Sequence, residues 1–364
     1  TDGNVAIGYN AALSNTTGNT NTALGSYALY YNTTASTSTA VGYSAGYYQI
    51  GGSNSAFGAY ALYGSSTPAN NTGTANTAIG QQTLYNNTSG SNNSAVGSQS
   101  LYFNTTGSQN NALGYYALYS NTTGVDNTGI GHLALYSNTT GGQNAAIGRQ
   151  ALYSNTTGAS NVAIGYQAGY SNQTSNVLVA IGSQAAYSHT SGQLVAIGYQ
   201  AAYSNTTGTQ STALGNYALN QNSTGNYNTA LGYYALGANT TASGNTAVGY
   251  QAGYKNTTGA GNTSIGYLAG QAITTGNGSV AIGQGALQSG TNTASYNTAI
   301  GYAAANNVTS GSYNVAIGGN DASGNPAFFT NTTGDRNTVV GNGALSSGAT
   351  NTNVEAYGYQ AGYY

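Results

Sequence analysis

A glycine preceded by an apolar residue returns about every 17 residues along the whole chain, and so short a period leaves few folds open. The series runs from Gly8, Gly25, Gly42 and Gly58 to Gly318, Gly341 and Gly358, and 15 of its 20 intervals are 17 residues. The other intervals are 16, 16, 18, 22 and 23 residues. Around each glycine the consensus is Asn-Thr-Ala-Ile-Gly-Tyr-Gln-Ala-Leu-Tyr-Ser-Asn-Thr-Thr-Gly, followed by two variable residues. Helical-hairpin repeats need more than about 30 residues per unit. Segments rich in aliphatic and aromatic residues, bounded by Asn and Gly, instead suit short strands joined by turns. The repeat therefore predicts an all-β chain, a parallel β-solenoid or β-roll of about 21 coils. Each coil is expected to carry two strands, Asn-Thr-Ala-Ile-Gly and Gln-Ala-Leu-Tyr-Ser, and to stack on the next at roughly 4.8 Å. Residues 1–364 then form one array. The 22- and 23-residue intervals hold the only two prolines, Pro68 and Pro326, so protruding loops are expected near 64–75 and 319–336.

Strictness differs between positions. Ala stands two residues before the glycine in 18 of 21 copies and three after it in 18, whereas the spacers after Asn-Thr-Thr-Gly vary freely. The strict positions are packing positions. Because neighbouring strand residues face opposite sides, the adjacent Ala163 and Ile164 leave neither face of the first strand suited to water. Lateral association follows, most simply as a trimer or a bundle of copies. The array begins at Thr1 and ends at Tyr364 in mid-repeat, and without Met the chain reads as a processed product or fragment whose ends meet another copy or a missing part.

Composition narrows the function. Eight charged residues in 364, Arg149, Lys255 and Arg336 against Asp2, Asp126, Asp321, Asp335 and Glu355, provide no basic patch for nucleic acid or anionic lipid. No apolar run reaches the ~18 residues of a membrane span. Cysteine is absent, which removes thiolate chemistry. His132 and His189 occupy different repeat positions at least three coils apart and read as surface substitutions. Five scattered carboxylates cannot furnish repeated calcium sites, and the pair Asp321 and Asp335 reads as part of a solvated loop. No catalytic, cofactor-binding or metal-binding residue is expected.

The Asn-Thr-Thr turn carries a second possibility. Of 19 Asn-x-Ser/Thr patterns, 12 fall seven residues after the glycine, at Asn15, Asn32, Asn87, Asn104, Asn121, Asn138, Asn155, Asn172, Asn205, Asn222, Asn239 and Asn256. This line of asparagines either accepts N-linked glycans or stacks as an unmodified ladder of amides. Gln49, Ser65 and His189 replace Asn where the register slips. Tyr stands five after the glycine in eleven consecutive coils, Tyr30 to Tyr203. Stacked rings would stabilise the coils, and the same stripe could hold carbohydrate or a partner surface.

The motif Asn-x-Ala-Ile-Gly, as in Asn4-Val5-Ala6-Ile7-Gly8 and Asn314-Val315-Ala316-Ile317-Gly318, resembles the head repeat of trimeric autotransporter adhesins of the YadA type. Similar arrays occur in phage-tail-fibre-like and other bacterial surface fibre proteins. The resemblance implies a left-handed, trimeric β-roll at an extracellular or cell-surface location, with host or surface glycans or matrix proteins as ligands. The expected function is thus a non-enzymatic structural or adhesive fibre or filament subunit. A heavily glycosylated self-assembling filament is the alternative, and an ice-binding solenoid built on the Thr ladder is a lesser one.

Overall fold

The computed structural model describes residues 3–288, 290–328, 330–348 and 350–362. The expected meeting of Thr1 with Tyr364 lies outside these residues. The chain is an all-β parallel β-solenoid of 21 strands, each of three or four residues, with no α-helix among the described residues. It divides into two compact units, Thr1–Ile181 and Gly182–Tyr364. The same coil builds both.

Each coil contributes one strand, over Thr-Ala-Ile or its equivalent. Adjacent strands pair in parallel one repeat apart, so that Ala145, Ala146 and Ile147 lie opposite Val162, Ala163 and Ile164. Loop insertions leave this register intact: Ser55–Phe57 pairs with Thr77–Ile79 across the 22-residue interval, and Val315–Ile317 with Thr338–Val340 across the 23-residue one. In the first insertion Pro68–Asn70 forms a single 3₁₀ turn. There Asn71 is fully buried, donating through Nδ2 to the carbonyls of Ser65 and Thr67.

The second expected strand does not form. Its residues follow an irregular path in which Gln150 (φ 59°) and Leu152 (φ 49°) adopt left-handed backbone, and equivalents such as Tyr217 (φ 60°) and Leu219 (φ 49°) do the same in the second unit. Such conformations are disfavoured for residues with a Cβ, but here they turn successive peptide groups along the stacking direction. Gln150 N–H donates to the His132 carbonyl in the preceding coil (2.9 Å), whereas Leu152 N–H donates to Ala168 (3.0 Å) and Ser154 N–H to Tyr170 (3.0 Å) in the following one. Inter-coil hydrogen bonding thus extends beyond the strand, and little backbone is left unpaired.

In a regular second strand the Ala-Leu pair would lie on opposite faces. Rather than facing opposite sides, Ala151 and Leu152 both point inward and are fully buried, as is Ala146 of the strand. The core of each unit is this narrow stack of Ala, Ala and Leu. Where Gly169 replaces Leu, a Cβ there would lie 3.1 Å from Leu152 Cδ2 and from Leu178 Cδ2, so the neighbouring leucines occupy the space. Leu178, fully buried, itself stands where most coils have Asn.

Candidate functional site: the polar ladders, the tyrosine stack and the outer strand face

The sequon asparagines lie inside the coil. Of the twelve, Asn15 is half-buried and the other eleven are at most 1 % exposed. Asn155 Nδ2, the atom to which an N-linked glycan would attach, donates to Asn138 Oδ1 in the preceding coil (2.8 Å) and to the Gly158 carbonyl (3.0 Å). Asn104, Asn121 and Asn138 repeat the same pair of contacts. A sugar at that atom would have to replace one of these bonds and part the packed coils. Exposed sequon asparagines stand elsewhere, at Asn70, Asn92 and Asn277.

A second ladder of buried asparagines runs four residues before the glycine. Asn144 Oδ1 accepts the Asn161 backbone N–H (3.0 Å), and Asn144 Nδ2 donates to Asn127 Oδ1 (3.1 Å) and to the Gly158 carbonyl (2.9 Å). Both ladders therefore converge on the carbonyl of one glycine, closing each coil across its interior. A Cβ on Gly158 would lie 2.4 Å from Asn155 Oδ1 and from the Ser175 carbonyl, so a side chain there makes the junction shift, as it does in the coils where Ala35 and Ala242 accept the same pair of bonds. Each bond contributes only about 1 kcal/mol net, but leaving a buried partner unpaired costs about 1–3 kcal/mol.

Two sequence expectations change here. His189 is fully buried rather than a surface substitution, and its Nε2 lies 3.0 Å from the Gly192 carbonyl. It occupies the ladder position because an imidazole, like an amide, presents a polar nitrogen from a short stem. Asp321 is likewise buried, not solvated: its Oδ1 accepts the Ser323 and Asn325 N–H groups and its Oδ2 accepts Gln360 Nε2, each at 2.8 Å. These bonds, led by that from Gln360, hold its carboxyl below the usual range. Asp321 anchors the second insertion. His132 is exposed and stacks on Tyr115, with ring centroids 5.7 Å apart. Arg149 is exposed, 5.9 Å from the centroid of the Tyr166 ring. Among the described residues no three His, Asp or Glu side chains come together as a metal site.

The tyrosines five after the glycine form a stack. In the first unit, centroids from Tyr30 through Tyr170 repeat at 5.0–5.4 Å with interplanar angles of 2–21°. In the second unit Tyr187 and Tyr203 continue the pattern at 5.1 Å. Burial and neighbouring rings raise the phenol pKa of Tyr47, Tyr63, Tyr85 and Tyr119 above the ordinary value of 10.0.

A pH dependence follows. The unfolded phenols ionise near pH 10 while the folded ones resist, so stability is fully present below that value and falls as pH rises beyond it. At the other limb burial lowers the His189 pKa below 6.5; its contribution is present above about 6.5 and declines as pH falls below it. Thermal melts from about pH 4 to pH 12 should give a plateau between these limits, and His189→Asn should flatten the acid limb. A constant Tm up to about pH 12 would contradict the contribution assigned to the stack.

The outer face of the sheet is apolar. The residue before each glycine points away from the core: Leu113, Ile147 and Ile164 in the first unit are 50, 39 and 38 % exposed, and Leu214, Leu231 and Ile265 in the second are 40, 42 and 38 %. Within each unit they form a ladder beside the Thr or Val two residues earlier. No helix among the described residues is long and apolar enough to cross a membrane. No protein-family model matches the chain, and no curated protein matches it.

Proposed function

We propose that this protein is a structural and adhesive subunit of an extracellular or cell-surface fibre, non-enzymatic, whose copies associate side by side as a trimer or bundle. The observation that carries this reading is the outward aliphatic ladder. The eleven strands of the first unit, at about 3.3 Å per residue and 4.8 Å per rung, present a face of roughly 500 Å², near the size of the largest apolar patches on monomers. Flanking Thr, Val and Tyr residues widen it toward the roughly 800 Å² per partner of a stable interface. The scarcity and dispersal of charged residues and histidines suit a scaffold better than a catalyst. Buried amide ladders and stacked rings would also make such a fibre insensitive to salt, since few of its contacts are ionic.

Sedimentation of the full chain over a range of concentrations tests this. The wild type should associate, and the double variant Ile147→Asp/Ile164→Asp should do so at least tenfold more weakly while keeping its circular dichroism spectrum. A wild type that stays monomeric to about 100 μM would refute lateral assembly through this face.

A further inference from the structure

We infer that the first unit holds a binding slot for one ring of a neutral saccharide, centred on Ser44. Gln is the commonest second residue after the glycine, in 8 of 21 coils, but here the sequence alternates: Tyr9, Tyr27, Tyr43 and Tyr60 fall at the first, second, first and second positions of four successive coils. Successive rings are accordingly perpendicular, at 84°, 87° and 79°, with centroids 5.4, 6.0 and 5.3 Å apart. Elsewhere in this unit the rings of the tyrosine stack cover one another's faces. Here they pack edge to face instead, and Tyr43 stays 48 % exposed beside Ser44.

Ser44 creates the space. It stands at the second position between Tyr27 and Tyr60, one coil from each, and is buried at 4 % exposure. A cavity of about 240 Å³ opens there, lined by these three residues with Tyr43, Tyr47 and Tyr63. Pockets for drug-sized ligands run from about 300 to 1,000 Å³, so the slot suits a single ring. Its chemistry selects the class: aromatic faces pack against the C–H faces of a pyranose, while phenol and serine hydroxyls meet its hydroxyls. No charged side chain lines it. Asp126 and Arg149, the charged residues described in this unit, lie at least four coils away, about 19 Å at the rung spacing, which leaves an ionic ligand without a partner. This deepens the adhesive part of the proposed function and rests on it for its setting, but it requires only one chain.

Calorimetric titration of the full chain with cellobiose, lactose and N,N′-diacetylchitobiose tests the assignment. At least one should bind with a millimolar or lower Kd. Ser44→Tyr, which fills the missing rung with the residue its neighbours carry at the same backbone conformation (φ 63° at Tyr27, 59° at Tyr60), should weaken binding at least tenfold without lowering Tm. Tyr43→Ala should weaken it at least tenfold as well. Failure of all three sugars to bind overturns the proposal, as does affinity unchanged by Ser44→Tyr. If Ser44→Tyr instead abolishes self-association, the slot takes a ring from a second copy and the saccharide assignment falls. Loss of association in the wild type would sink lateral assembly and leave the sugar titration readable.

Discussion

Replacing Gly148 by alanine should destabilise the first unit by at least about 3 kcal/mol. The glycine has φ 135°, which L side chains rarely adopt, and an added Cβ would lie 2.4 Å from the Gly165 carbonyl oxygen and 2.7 Å from its carbon. Both contacts are backbone of the next coil, so relief requires opening the ladder. Gly261 is the control. It too has positive φ, 69°, but nothing lies within 4 Å of a Cβ there, and equivalent positions carry Gln143 (φ 60°) and Ser160 (φ 58°). Gly261→Ala should therefore cost only about 1–2 kcal/mol, the ordinary penalty of left-handed backbone. Guanidinium unfolding of the two variants measures the difference. Equal midpoints would mean that the glycine series marks a flexible corner and not a steric limit between coils.

That contrast explains how much of the fold was legible. That a glycine closes each strand and that Ala146 and Ile147 face opposite sides follow from repeat spacing and strand alternation, and the structure has both; that the alanine is the inward one comes from the backbone path. Gln-Ala-Leu-Tyr-Ser was misread because its residues suit a strand and none of them signals left-handed backbone. Leu152 at φ 49° is set by tertiary hydrogen bonding to Ala168, not by its own preference. Without that alternation the Ala-Leu pair would straddle the sheet. With it, both side chains enter the core.

The polar residues were harder to place. A sequon repeated once per coil reads the same whether its amide faces solvent or the interior, because both arrangements repeat with the coil; only the backbone path decides. Gln49 and His189 at the same position were a usable hint, since both kept a nitrogen that reaches a main-chain carbonyl: Gln49 Nε2 donates to that of Asn87 (3.0 Å). Asp321 gave no such warning. Its partners Ser323, Asn325 and Gln360 include one 39 residues away, and nothing in the local sequence marks that contact. The slot at Ser44 was equally hidden, because it arises from a substitution that matters only between particular neighbours in adjacent coils.

Asn155→Asp should open the middle of the first unit at neutral pH and spare it in acid. The substitution removes two donated hydrogen bonds and sets a carboxylate oxygen against Asn138 Oδ1 and the Gly158 carbonyl, 2.8 and 3.0 Å from the present nitrogen. At a fully buried position an uncompensated charge costs about 3–5 kcal/mol. Burial and the facing oxygens both favour the protonated acid, so its pKa in the fold rises above the unfolded value of about 3.9. Relative to wild type, stability is then retained below about pH 4 and lost as pH climbs through the folded pKa. Asn155→Ala, which leaves partners unpaired without adding charge, should cost about 2–3 kcal/mol at any pH. Asn92→Asp, at an exposed sequon, should stay within about 0.5 kcal/mol of wild type. Denaturation of the three variants near pH 4 and pH 7 separates burial from surface placement. If Asn155→Asp cost no more than Asn92→Asp at pH 7, the Asn155 side chain would not lie in the interior, and it would stand again as a position able to carry a glycan.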